Sequence, residues 1–293
     1  MSAKFLDSLG GKLAEQWAAT LLTPAFIFWA GGAIALLQRF GWQEPMDWFG
    51  QQPEFLQIAI VIAGLGLIAA SSVVVQRFDL PALRFLEGYW YAWLRPLRRW
   101  CLSRQAARSK RVGDRWRELA LYSLDQLSVE QREERIFLDW QQHHMPLSNQ
   151  LMPTRLGNIL RAAEQKSLEK YGLDAVICWS RLWLMLPDGV KQDLQIARAD
   201  LDAAARFWLW SVLFMGWVLV GAWWALPLGI LAALLTYYYW AIAAAITYSD
   251  LIEATFDLYR HLLYQSLRWR QPNDPTEERR VGQQLTEYLW RGF

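Results

Sequence analysis

The chain has 293 residues, with 30 Lys and Arg against 28 Asp and Glu, 54% apolar residues, 19 Trp and two Cys. Two cysteines with no third ligand at a suitable spacing argue against a zinc site. Because Cys101 and Cys178 both fall in a segment expected to be cytoplasmic, where thiols stay reduced, a disulfide is not expected either. The net charge of +2 decides nothing by itself; how the charges and apolar residues are distributed does.

Residues 1–16 are polar and amphipathic and read as a cytoplasmic N-terminal segment. Trp17 to Leu37 and Phe55 to Val75 are uncharged runs of 21 residues each, the length of a tilted transmembrane helix. A cleaved signal peptide does not fit the first run, which is too long and lacks a small-x-small cleavage site. The two runs define transmembrane helices 1 and 2 within 17–75, joined by a short external loop at 38–54. In the second run Ala59, Ala63, Gly66 and Ala70 form a smooth stripe at 4-3-4 spacing, a surface for close helix packing. Gly31 with Ala35, Gly221 with Ala225, and Gly229 with Ala233 repeat the theme.

The segment 76–206 holds 21 basic and 16 acidic residues. Its start is lopsided, with 11 Lys and Arg from Arg77 to Arg117 against Asp79, Glu87 and Asp114. Basic residues next to span ends mark the cytoplasmic side, so this segment and both termini are expected there. A helix over 80–101, opened by Asp79 with Pro81 in its first turn, would place Arg84, Arg95, Arg98 and Arg99 on one arc beside an aromatic face. Such an interfacial helix suits anionic lipid headgroups, with Pro96 kinking or ending it. Arginine with tryptophan also suits nucleic acid, but beside a bilayer lipid phosphate is the nearer anion.

Further along, Ser128 and Gln131 form a capping box for Val129 to Gln142. Thr154 caps Arg155 to Lys170, which Gly172 closes. A short helix spans Asp174 to Leu186 and stops at Pro187, and Asp188 opens the next. In that helix Val190, Leu194, Ala197, Leu201, Ala204 and Trp208 form one stripe, and nothing interrupts it before the next apolar run.

Phe207 to Ser249 contains 43 residues without a single Asp, Glu, Lys, Arg or His. As helix this is roughly 64 Å, about two crossings of the hydrocarbon core. It reads as transmembrane helices 3 and 4 in a tight hairpin over 207–249, turning near Pro227 and Gly229. The tail, 250–293, continues as helix to about Arg270 with two apolar stripes. One is Leu251, Ala254, Leu258, Leu262 and Trp269; the other is Phe256, Leu263 and Leu267. Two stripes require two packing partners, which makes Leu251, Leu258, Leu262, Leu263 and Leu267 candidates for partner binding or self-association. Asp274, Pro275 and Glu277 start a terminal helix whose face is Val281, Leu285, Tyr288 and Leu289.

No Walker loop, G-x-S-x-G or H-E-x-x-H occurs, and the four spans hold no acid or base for ion coupling. His143 and His144 read as an exposed pair rather than a metal site, and no catalytic, cofactor or metal residues are assigned. The expected architecture is all-α and polytopic: four transmembrane helices in two pairs, with a helical cytoplasmic domain inserted between them. The expected function is a multi-pass membrane scaffold or docking component that binds lipid headgroups and self-associates or holds a protein partner, with no enzymatic activity and no nucleic acid. The alternative is an oligomeric channel with a hydrophobic gate and a basic cytoplasmic mouth.

Overall fold

A computed structural model describes residues 24–272 and 274–292. Among them every regular element is helical, and there is no strand. Three helical stretches are long and apolar enough to cross a membrane: Glu54–Gln76, Asp188–Val220 and Ala225–Tyr259. Of the first expected span, 17–23 lies outside the described residues. The rest is helix α1, Pro24–Phe40. The chain divides into two compact units.

One unit runs up to Ala82 and resumes over Ala203–Tyr239. It contains α1, a short helix α2 (Gln43–Gly50), α3 (Glu54–Gln76), the last turns of α9 (Asp188–Phe214), a 3₁₀ segment Met215–Val220, and α10 (Ala225–Leu235). Aromatic rings hold it together. Phe28 lies 5.2 Å from Trp210 and 5.1 Å from Trp217, centroid to centroid. Each indole N–H in this layer that bonds finds a defined oxygen: Trp217 donates to the Phe28 carbonyl (3.1 Å), Trp29 to Ser71 Oγ (3.0 Å) and Trp224 to Gln38 Oε1 (2.8 Å). Such bonds and close packing matter where lipid removes the hydrophobic drive between helices. Gly31 and Gly32 admit the rings of Phe214 and Trp217; a Cβ at Gly32 would come within 2.1 Å of the indole. The outer surface is apolar: α3 is almost wholly uncovered, and Phe55, Ile58, Ile62, Val73 and Val74 are all exposed. A soluble protein does not sustain such a surface in water, whereas hydrocarbon accommodates it.

The expected hairpin turn is displaced. Pro227 does not break a helix; it sits in the first turn of α10, where the missing N–H has no partner to lose. The reversal is made by Gly221, at φ +97°, after the 3₁₀ segment. A π-helical turn, Thr236–Ala241, then leads into α11 (Ile242–Tyr259).

The second unit comprises Leu83–Asp202 and Trp240–Phe293. Here the helix expected over 80–101 is two helices, α4 (Asp79–Glu87) and α5 (Arg95–Ala120). Gly88 at φ +103° ends the first, and its N–H bonds back to Arg84 and Phe85. Pro96 opens the second rather than closing the first. As with Pro227, the proline marks a beginning.

The local caps are as the sequence implies. Ser128 and Gln131 close both arms of the capping box of α6 (Val129–His143). Thr154 accepts from Gly157 at the head of α7 (Arg155–Tyr171), and left-handed Gly172 closes it. Asp174 caps α8 (Ala175–Met185), and Asp274 caps α13 (Pro275–Arg291). Each such bond contributes about 1 kcal/mol. The tail helix stops earlier than expected, breaking at Arg260 before α12 (His261–Ser266), with Arg268 in a left-handed conformation after it.

α8, α9, α11, α12 and α13 share a core of Leu173, Cys178, Leu182, Leu194, Phe256, Leu263, Val281 and Leu285, with Tyr171 at the end of α7 packed against it. Val190 of α9 packs on this core, as do Leu251 and Leu267. The terminal helix face of Val281 and Leu285 is therefore internal. α5 and α6 form a hairpin with a small core of its own: Val112, Leu119, Leu127 and Leu138. It is clasped by a bidentate Arg115–Glu134 pair at 2.8 and 2.7 Å. Both cysteines are free thiols.

Candidate functional site

The residues singled out from the sequence do not form one site. Arg84 is exposed on α4, whereas Arg95, Arg98 and Arg99 lie on α5, because Gly88 separates the two helices. Around them Tyr91, Trp93 and Trp100 are exposed, Trp93 to 77%. Of the five leucines, Leu263 is fully buried, Leu251 and Leu267 lean on the same core, Leu262 is half-buried, and Leu258 is open. Phe256 and Leu263 thus find their partner within the unit. Ala59, Ala63, Gly66 and Ala70 are all exposed, and a Cβ at Gly66 would meet no described atom within 4 Å.

Of the expected exposed pair, His143 is exposed and His144 is not. His144 is buried; its ring nitrogens face the Trp140 carbonyl (2.9 Å) and Asp250 Oδ1 (3.1 Å). His143 Nε2 lies 3.0 Å from Glu253 Oε2. Ligand atoms of His143, Asp250 and Glu253 fall within 4.8 Å of one another, close enough to share a cation. The Glu253 carboxylate is already engaged, by Lys166 at 2.6 Å on Oε2 and Lys170 at 2.8 Å on Oε1. Two ammonium groups on the central ligand make this an ion-pair network rather than a metal centre. Burial, then the Lys166 charge, holds the His143 imidazolium below its usual range.

The structure brings a different group together. A cavity of about 300 Å³ opens among α7, α8, α9, α11 and the residues that end α4. Met152, Leu160, Ala175 and Ile252 supply apolar wall, Trp179 and Tyr248 aromatic wall. Gly157 is what lets the end of α4 approach: a Cβ there would stand 2.0 Å from the Glu87 carbonyl oxygen. Thr154 Oγ1 donates to that same carbonyl at 2.9 Å. So fastened, Glu87 presents its side chain to the cavity.

Two arginines line the space, and each pairs with a carboxylate, although Arg161 Nε is buried without a hydrogen-bond partner among the described residues and Arg198 also lies over the Tyr248 ring at 5.8 Å. Arg161 reaches Glu164 at 3.0 Å, and Arg198 donates to both oxygens of Asp202 at 3.0 and 3.2 Å. Glu87 has neither a hydrogen-bond nor an ion-pair partner on its carboxylate among the described residues. Burial, then the nearby Glu164 charge, pushes its carboxyl up to about 7, against the opposing pull of Arg198 and Arg84. A half-buried acid poised near neutrality at a cavity wall can take up or release a proton, or meet a cation. Sequence reasoning missed this site because its members come from five separate elements. The only local traces are the i,i+3 and i,i+4 ion pairs of Arg161 and Arg198.

Comparison with protein families, with characterised proteins and with solved structures finds no match to this chain.

Proposed function

We propose that the chain is a four-span membrane protein acting as a docking component. The termini and the 76–206 segment face the cytoplasm, and Arg84, Arg95, Arg98 and Arg99 rest on anionic headgroups. The spans are the run beginning at Trp17, α3, the Phe207–Val220 end of the long α9 stretch, and Ala225–Ser249. Eleven basic against three acidic residues over 77–117 support the orientation.

The observation that carries the docking role is a ridge on α6. Val129, Ile136, Phe137 and Trp140 fall within an arc of roughly 100° on that helix. Val129, Ile136 and Phe137 are 64%, 67% and 55% exposed. The opposite face is spent on α5 through Leu138 and Glu134. A ridge with i, i+7, i+8 and i+11 spacing matches an amphipathic helix, and exposed Glu133 within the arc and Glu130 at its edge favour basic residues on that helix. A photo-crosslinker at Phe137 should capture a protein helix, and Ile136→Asp with Phe137→Asp should abolish capture. Crosslinks to lipid alone would sink the idea; a crosslinked dimer would make the partner a second copy.

The pore reading keeps one observation, the uncovered stripe Ala59, Ala63, Gly66 and Ala70 on α3. Several copies could line an axis with it. Gly66→Trp should then block ion flux in liposomes, and unchanged flux would dismiss the pore.

A further inference from the structure

The cavity beside Glu87 has an uneven charge balance. Arg161 and Glu164 cancel across 3.0 Å, and Arg198 and Asp202 cancel across 3.0 and 3.2 Å. With both cations answered by carboxylates of their own helices, Glu87 is left over. Three aromatic side chains stand around the same space, Trp179, Tyr248 and Tyr89; the Arg198 guanidinium already lies over the Tyr248 ring at 5.8 Å, which leaves Trp179 and Tyr89 to meet a ligand. A carboxylate among aromatic faces is the arrangement that selects an ammonium, one through ion pairing and the other through the negative face of the ring. At about 300 Å³ the space suits a small ligand.

We propose that this cavity binds an organic ammonium group, with Glu87 supplying the counter-charge and Trp179 and Tyr89 the aromatic surround. The site goes beyond the docking role and does not depend on it. The ammonium can arrive as a free small amine or as the headgroup of an amino-phospholipid; its recognition chemistry is the same. Below pH 7 the acid is mostly protonated, so binding there drives Glu87 to its ionised form and releases a proton. The groups bearing on that titration are Glu164, Asp202, Arg198 and Arg84.

The test uses the full chain purified in mild detergent. Ethanolamine and choline are titrated calorimetrically. In parallel, nanodiscs of phosphatidylethanolamine or phosphatidylglycerol are examined for lipid retained through native mass spectrometry. We expect saturable binding whose affinity rises about tenfold per pH unit up to pH 7 and levels off above it. Glu87→Gln should weaken it at least tenfold and remove the pH slope; Trp179→Leu should weaken it severalfold and keep the slope. Circular dichroism checks that both variants fold. Binding of the soluble amines identifies a free-amine site, and selective retention of phosphatidylethanolamine identifies a headgroup site. No binding in either arm, or binding that Glu87→Gln and pH leave unaltered, overturns the proposal.

Discussion

Arg206 holds Asp79 in a bidentate grip, Nε to Oδ1 at 3.0 Å and Nη2 to Oδ2 at 2.5 Å, with both side chains mostly buried. Arg206 is the last charge before the uncharged run that starts at Phe207, and Asp79 heads α4 just past α3. The pair thus ties the end of one apolar helix to the end of another inside the same unit. Removing one partner strands a shielded charge. Arg206→Gln and Asp79→Asn should each cost about 2–3 kcal/mol, and the double variant clearly less than their sum. Thermal unfolding in detergent of the three proteins measures the coupling; additive losses would mean that the pair contributes nothing.

The acid at position 87 makes a pH-dependent contribution of predictable sign. Its folded value, about 7, lies above the usual carboxylate range. Between roughly pH 4.5 and 7 the unfolded chain has lost this proton while the folded chain keeps it, so stability falls as pH rises through that window. Glu87→Gln should be the more stable protein at pH 8, by about 2 kcal/mol once partial solvation is allowed for. The two should converge near pH 4. Melting curves across that range give the answer, and parallel curves would contradict it.

Gly157 allows α7 to pass the end of α4. The Cβ of an alanine would stand 2.0 Å from the Glu87 carbonyl oxygen and 2.9 Å from its carbon, and neither backbone atom can swing away. Gly157→Ala should therefore cost about 3 kcal/mol and expose the segment around Glu87 to faster amide exchange. Hydrogen-exchange mass spectrometry would localise the effect, and unchanged protection there would refute it.

Glu253 serves two ammonium groups and the His143 ring, so its loss should cost more than the loss of any one of them. Glu253→Gln leaves Lys166, Lys170 and His143 facing each other and should cost about 3 kcal/mol. Lys166→Met should cost about 1 kcal/mol, because two partners remain. A chelator should leave the melting temperature unchanged, as expected for a network that Lys166 and Lys170 already neutralise. A chelator-dependent drop would restore the metal reading.

Features that are local in the chain were legible in the sequence. Ser128, Thr154 and Asp274 each bond to a backbone N–H three residues on, so the cap and its reason lie within one turn. The apolar runs are equally plain, since lipid imposes a length and an absence of charge. Two misreadings share one cause: Pro96 and Pro227 were expected to break or turn the chain, yet both occupy first turns, where proline fits without cost. Gly88 and Gly221 carry the reversals instead. The ammonium cavity was not legible at all. Nothing within a few residues of Glu87 foretells that Arg198, Tyr248 and Trp179 converge on it; that depends on how α7, α8, α9 and α11 pack.

The joint between α7 and α13 is set by main chain against main chain. A Cβ at Gly282 would come within 1.9 Å of the Tyr171 carbonyl oxygen, and one at Gly172 within 2.1 Å of that of Arg279. Val281 and Leu285, beside them, contribute volume but do not set the spacing. Their neighbourhood should therefore accept interchange among Val, Ile, Leu and Met in a saturation library, while both glycines stay nearly invariant. Across the natural diversity of such chains, the pair would be a more durable mark of common ancestry than the apolar core around it.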